Sequence, residues 1–414
     1  MSAPELLRTV LPNGLTIIAE RNMEASSFAA GWFVNTGSRD EKPRLAGVSH
    51  FLEHMMFKGT ERRSASDINR EFDELGATYN AYTSEERTVY YGAVLPEAQE
   101  RLLDLLTDMM RPALRQDDFD VEKNVILEEI AMYEDSPLHR ALDLAGPRFF
   151  NGHPLGNSIL GTAESITALS REEMLGYFTS RYAPNNLVVA AAGRLDWEAL
   201  VDQLERLTRD WQPATTERSY PEFKPAAGSE KVADPKLQRV HLALYAPAVS
   251  AQHELRHAAS LVANVLGDPG SGRLHWALTD RGLVDSAMLL FDGADRAGNF
   301  ISYVSTAPEL AEQVSGLLLD ELHNIHSDLP TEAEWQAARN KVATALTFGA
   351  ETPFTRLMSL GSTWLYRQEY VPVSEAVDRV LATGLDEAEQ LLASRPFEQS
   401  YLLQLGPPES EDGR

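Results

Sequence analysis

The sequence predicts an α/β (α+β) fold built as two similar repeats, and three observations carry that expectation. The 414 residues exceed one ordinary domain of roughly 100–200 residues. Strand-like and helix-like patterns alternate in the same order in each half. Between the halves, Trp211 to Lys236 contains four prolines and few apolar residues and reads as a linker. The expected organisation is an N-terminal unit over 1–210, a linker over 211–236 and a C-terminal unit over 237–414. An internal duplication would account for the repeated order.

In the first half, Leu15–Glu20 and Ser27–Asn35 read as strands, the first introduced by the turn signal Pro12-Asn13-Gly14. A helix is expected over Leu45–Phe57, closed by Gly59. Another is expected over Ser66–Leu75, with Ser66 as N-cap and Gly76 as stop. Thr78–Leu95, rich in Tyr, Thr and Val, reads as a strand pair around Ser84-Glu85-Glu86. Helical patterns cover Leu95–Met110 and Gln116–Tyr133, and the apolar run Leu187–Ala192 reads as a buried central strand. The second half repeats the order. Arg239–Tyr245 reads as a strand, His253–Leu266 as a helix closed by Gly267, and Met288–Phe291 and Asn299–Ser305 as strands. Glu309–Ser327 and Glu332–Phe348 follow as helices, and Gln399–Leu405 as a last strand.

Composition narrows the function. Apolar residues make up 43% of the chain, too many for a disordered one, and no run approaches the roughly 18 apolar residues of a membrane span. The start lacks a basic segment followed by an apolar one, so a cytoplasmic location is expected. A formal charge of −25 disfavours nucleic acid or an anionic membrane as partner. With no cysteine, any metal must sit on His, Asp or Glu.

The strongest local signal is His50-Phe51-Leu52-Glu53-His54. Positions four apart share a helix face, so His50 and His54 can offer two imidazoles to one ion with Glu53 beside them. Two imidazoles without thiolate suit zinc, and His-x-x-Glu-His is a known zinc protease signature. A catalytic site also wants a third protein ligand. Glu122 and Glu129, two turns apart on one face of the Gln116–Tyr133 helix, are the best donors, whereas Glu128 points about 100° away. Val125, Ile126 and Ile130 should leave that helix partly buried.

With Glu129 75 positions after His54, this constellation resembles the pitrilysin or insulinase group of zinc peptidases, closest to the half-length branch that includes mitochondrial processing peptidase and its bacterial relatives. Further matches are Pro12-Asn13-Gly14-Leu15, Gly31 to Gly37, Phe57-Lys58-Gly59-Thr60, Gly76 to Thr83 and Tyr182 to Asn186. The resemblance implies two homologous repeats, each a mostly antiparallel mixed sheet flanked by helices, with metal only in the first. It implies one zinc ion per chain on His50, His54 and Glu129. Glu53 would be the general base that takes a proton from the nucleophilic water and passes it to the leaving amine. Glu122 would support the site from behind a histidine, and Asn80-Ala81-Tyr82 would lie on an edge strand where a peptide substrate adds as a further strand.

The second half departs from the pattern. Active single-chain relatives resemble one another in an Arg and a Tyr seven residues apart, but Leu278 and Asp285 stand at those positions here. Such a pair would polarise the scissile carbonyl, so the resemblance implies a heterodimer in which a homologous non-zinc subunit supplies it. A self-sufficient homodimer and a non-catalytic scaffold subunit are the alternatives. His253-Glu254-Leu255-Arg256-His257 also matches the ordinary His-Glu-x-x-His motif, but Arg256 beside the would-be metal and the absence of a third ligand downstream make it a surface helix.

Overall fold

The computed structural model describes residues 4–408. They form two compact units, residues 4–130, 157–219 and 347–373 in the first and 131–156, 220–346 and 374–408 in the second. Among the described residues no helix is long and apolar enough to cross a membrane.

The first unit holds six strands: β1 (Glu5–Val10), β2 (Thr16–Arg21), β3 (Phe28–Val34), β4 (Thr78–Thr83), β5 (Thr88–Val94) and β6 (Leu187–Gly193). Their order is β1-β2-β6-β3-β5-β4, with β2 and β6 parallel and all other neighbours antiparallel. Strands β3 and β6 are buried at every position because both faces of the sheet are covered, which is why they read as continuous apolar runs. The period of two sorts their side chains. Phe28, Ala30, Trp32 and Val34 enter one core, whereas Ala29 and Phe33 enter the other, against Leu357, Leu360 and Trp364 of the helix Pro353–Arg367. That helix comes close through Gly361, where a Cβ would stand 2.3 Å from the Phe33 ring.

Helices α1 (Val48–Met55), α2 (Ala65–Leu75), α3 (Gln99–Met109) and α4 (Gln116–Glu134) contribute to the larger core of this unit. Ser64, not Ser66, caps α2. Its hydroxyl accepts from Asp67 N at 3.2 Å, and Asp67 Oδ2 accepts from Ser64 N at 3.0 Å, a reciprocal capping box that Ser66 is too far inside the helix to make. Gly76 ends the helix at φ +60°, as expected.

The second unit holds β7 (Gly228–Ala233), β8 (Val240–Pro247), β9 (Val284–Ala294), β10 (Ala297–Thr306) and β11 (Tyr401–Gly406), in the order β7-β11-β8-β10-β9. Only β7 and β11 are parallel. This reproduces β2-β6-β3-β5-β4 strand for strand and direction for direction, so the repeat is legible in topology, with β1 the addition. Two differences from the sequence expectation follow. The stretch 211–236 contains β7, the first strand of the second sheet. The units are also discontinuous: α5 (Pro137–Phe150) packs through Ala141, Ala145 and Phe149 against Tyr245 and Leu403 of the second sheet, while Pro353–Arg367 belongs to the first. Pro147 inside α5 conceals that helix from pattern reading.

The start of α1 is fixed by an acid from the loop that precedes it. Gly47 precedes the helix at φ +88°, where a Cβ would lie 2.4 Å from Leu160 O, and it brings no side chain to cap the first turn. Glu41 does so instead, accepting from Gly47 N and Ser49 N at 2.7 Å each. Ser49 Oγ is bonded to Tyr177 OH at 2.7 Å, which reaches Thr36 Oγ1 at 2.8 Å. Burial pushes the Glu41 carboxyl from 4.5 up to about 8. The folded state therefore keeps a proton that the unfolded chain releases above pH 4.5, and stability falls as pH rises from 4.5 to about 8. Glu41→Gln, which keeps an acceptor but cannot ionise, is expected to flatten this slope in urea midpoints measured across that range.

Candidate metal centre

The eight residues of α1 carry His50, Glu53 and His54, and α4 brings Glu122 and Glu129 opposite them. His50 and Glu53 are buried, as are Val48, Phe51, Leu52 and Met55, because the helix has core on nearly every side. Phe51 stacks on Phe119 of α4 at 4.8 Å between ring centroids, which helps set the two helices face to face. On α4, Ile126 and Ile130 point into the core together with Glu122, while Val125 is 44% exposed, contrary to the sequence expectation. Val125 lies three residues on from Glu122, but the buried stripe runs through Phe119, Glu122, Ile126 and Ile130 and leaves it outside. Glu128 is exposed, as its 100° offset implies.

His50, His54 and Glu129 each offer one ligand atom, and these lie within 4.8 Å of one another. Glu129 Oε2 is 3.7 Å from His50 Nε2 and 3.6 Å from His54 Nε2. Ligands held about 2.0–2.2 Å from an ion at tetrahedral angles stand roughly 3.3–3.6 Å apart, so both glutamate–histidine separations are close to what a zinc-sized ion requires. The protonation state of His50 suits this use, whereas His54 must lose a proton to offer Nε2 to an ion. Burial, with the neighbouring His54, lowers His50 to about 3, which keeps it a neutral donor at ordinary pH. His54 feels an opposing burial effect, but its hydrogen bond with Glu122 and the charges of Glu129, Glu122 and Glu53 raise it overall.

Glu122 is buried and serves His54 alone among the two histidines. His54 Nδ1 donates to Glu122 Oε1 at 2.8 Å, which leaves the Nε2 lone pair directed to the metal position. Lys58 Nζ lies 2.5 Å from Glu122 Oε2. Burial alone would raise the Glu122 carboxyl, but these two donors hold it below its ordinary value and hence ionised. Burial raises Glu53, opposed by a bond in which Thr83 Oγ1 donates to Glu53 Oε2 at 2.6 Å. Lys58 and Thr83 join the site beyond the residues the sequence motifs single out. Lys58, four residues after His54, is the next residue on its helical face, and Thr83 adjoins the Asn80–Tyr82 stretch, so spacing could have flagged both.

Asn80, Ala81 and Tyr82 lie on β4, the edge of the first sheet, hydrogen-bonded to β5 on one side. Asn80 Oδ1 accepts from Ala81 N at 2.8 Å, and Tyr82 OH accepts from Arg87 Nε at 3.2 Å. The second motif has no such geometry. The helix there starts at Arg256, so His253 precedes it, and its Nδ1 accepts from Leu255 N. Neither His253 nor His257 belongs to a metal-capable group among the described residues. Leu278 is fully buried in the second core, and the exposed Asp285 pairs with Arg239 at 3.1 Å.

Two helical imidazoles, a carboxylate one helix away and an acid between the imidazoles make a centre of the inverted His-x-x-Glu-His class. Comparison with known proteins names the family. The family model described as Insulinase (Peptidase family M16) matches residues 16–163, and that described as Peptidase M16 inactive domain matches residues 168–342. An uncharacterized zinc protease of Bacillus subtilis is 30% identical over 97% of this chain and 98% of its own, and another from Streptomyces coelicolor is 32% identical over 94% and 88%. The chain belongs to the insulinase family, peptidase family M16. It is also 37% identical, over 50% of its length and 39% of the relative's, to a probable mitochondrial-processing peptidase subunit beta of Arabidopsis thaliana. The fold matches a crystal structure of a protease from Helicobacter pylori with a TM-score of 0.91 at 19% identity, covering 98% of this chain and 100% of that one.

Because the Glu122 bond would leave Nε2 of His54 free for a metal, Glu122→Gln is expected to weaken zinc binding about tenfold or more, read by competition with a chromophoric chelator.

Proposed function

We propose that the chain is the zinc-bearing subunit of an endopeptidase that hydrolyses peptides or unfolded segments. The observation that carries the reading is the group His50, His54 and Glu129, with Glu53 beside it. His50, His54 and Glu129 would hold a zinc ion, whose Lewis acidity would lower the pKa of water at the site toward about 7. Glu53, kept more basic than an ordinary carboxylate by burial, takes the proton of the attacking water and delivers it to the departing amine nitrogen. Glu122 holds His54 in the required tautomer, and Lys58 balances the Glu122 charge. The open side of β4 at Asn80–Tyr82 receives the substrate as an added strand, a mode that selects extended chains and rejects folded ones.

A donor to the developing oxyanion is normally a large catalytic contribution. Leu278, sealed in a core, and Asp285, a carboxylate, cannot provide one. A homologous subunit supplying Arg and Tyr completes the site in this reading, and the named likeness to a processing-peptidase beta subunit supports it.

His50→Ala is expected to lose zinc as measured by atomic emission, while Glu53→Gln retains it and loses at least 100-fold in turnover of a quenched-fluorescence peptide. Full activity of Glu53→Gln would remove the proposed base. Adding the homologous subunit should raise turnover at least tenfold, and an isolated chain already as active as the mixture would defeat the two-subunit reading.

A further inference from the structure

The geometry points to Thr83 as a positioning residue that divides the labour of the two Glu53 oxygens; the inference rests on the peptidase reading above. Thr83 Oγ1 donates to Oε2 at 2.6 Å, a short bond of the charge-assisted kind. Among the described residues no side chain or main-chain group donates to Oε1. One oxygen is therefore anchored, and the other is left to exchange a proton. A carboxylate that served as base through either oxygen would have to be held by its own torsions alone, and a glutamate on a helix retains several rotamers. The Thr83 bond selects one of them.

Thr83 is itself unusually well held for the last residue of an edge strand. It pairs with Thr88 across the hairpin, and the turn between them closes with Ser84 N donating to Arg87 O at 2.8 Å. The turn is tied to the loop before α1 by Ser38 N to Ser84 O at 3.3 Å and Arg39 N to Glu85 O at 2.8 Å. The buried ion pair of Arg39 with Glu86, 2.5 Å, reinforces the tie, and Arg218 Nη2 donates to Glu86 O at 2.6 Å. Threonine is also β-branched, which restricts χ1 and holds the hydroxyl direction. The hydroxyl thus reports the position of β4 to Glu53. The strand that receives substrate and the base that acts on it are registered through a single hydrogen bond.

The test compares Thr83→Val, of nearly equal shape but without the donor, with Thr83→Ser, which keeps it. The full-length zinc-loaded chain is assayed together with its homologous subunit on an unstructured quenched peptide. Thr83→Val is expected to lower kcat about 10- to 100-fold, with KM within about twofold and with wild-type zinc content and Tm. Thr83→Ser should return kcat to within about threefold. Calorimetry with a phosphinic peptide, a stable mimic of the tetrahedral species, should show Thr83→Val weakening its binding by at least tenfold. Unchanged kcat in Thr83→Val, an equal loss in Thr83→Ser, or an effect confined to KM or Tm would overturn the inference and reduce the bond to a tether of the edge strand. His50→Ala and Glu53→Gln separate the two levels. Retained turnover in either defeats the peptidase reading itself, whereas loss in both with normal Thr83→Val turnover defeats only the role of Thr83.

Discussion

The hydrogen bond between His54 Nδ1 and Glu122 joins the two helices on which the candidate metal centre is built. An imidazole offers a metal only the nitrogen that lacks a proton, and the bond to an ionised carboxylate decides which nitrogen that is. It works only because Glu122 stays charged while buried, a state that would be costly without partners. His54 and Lys58 supply them, one on each oxygen. All three residues lie within or just beyond α1 and α4, so their positions depend on packing such as that of Phe51 on Phe119 and on the capping of α1 by Glu41. The chemistry of the centre is in this sense a consequence of how an eight-residue helix is fastened at both ends.

The second unit shows what the same fold does when that fastening serves packing alone. Its sheet repeats the first strand for strand, and the helix Arg256–Gly267 follows β8 as α1 follows β3. That helix buries Ala258, Ala259, Leu261, Val262 and Leu266, and Gly267 admits the backbone of Leu289, where a Cβ would stand 2.1 Å from its nitrogen. With small and aliphatic residues against the sheet, no position is left for an inward pair of imidazoles. His253 falls in the turn ahead of the helix, so a motif correct in letters is wrong in periodicity.

The centre was largely legible because it is local. His50, Glu53 and His54 declare themselves by helical spacing, and Glu122 and Glu129 by an interval of two turns on one face. The repeated order of elements likewise announced two related units. What was hidden depended on contacts between distant parts of the chain. Strand β7 has alternating exposure and sits beside prolines, so nothing short of its pairing with β11 marks it as sheet. Helix α5 contains Pro147, and its assignment to the second sheet follows from complementarity between Ala141, Ala145 and Phe149 and the surface around Tyr245, which no local pattern encodes. The choice of Ser64 over Ser66 as cap turned on the reach of Asp67, a one-turn detail that periodicity alone leaves open.

Strand β4 combines two demands that ordinarily conflict. An edge strand exposes unpaired donors and acceptors and invites association with other chains, yet a site that binds extended peptides needs such an edge. Here Asn80 Oδ1 accepts the Ala81 N–H that faces no neighbouring strand, so the donor is satisfied without another chain. In the proposed reading an arriving peptide would exchange that local bond for a main-chain one, an exchange of nearly equal bonds whose net effect is small. Affinity must then come from several such exchanges and from side-chain contacts along the strand, which disfavours short or poorly extended partners. At the far end of the same strand Thr83 meets Glu53. In the proposed reading, the strand that would pair with an extended segment is thus the one tied to the proposed base, so one piece of backbone would serve both the preference for extended segments and the placement of the scissile bond.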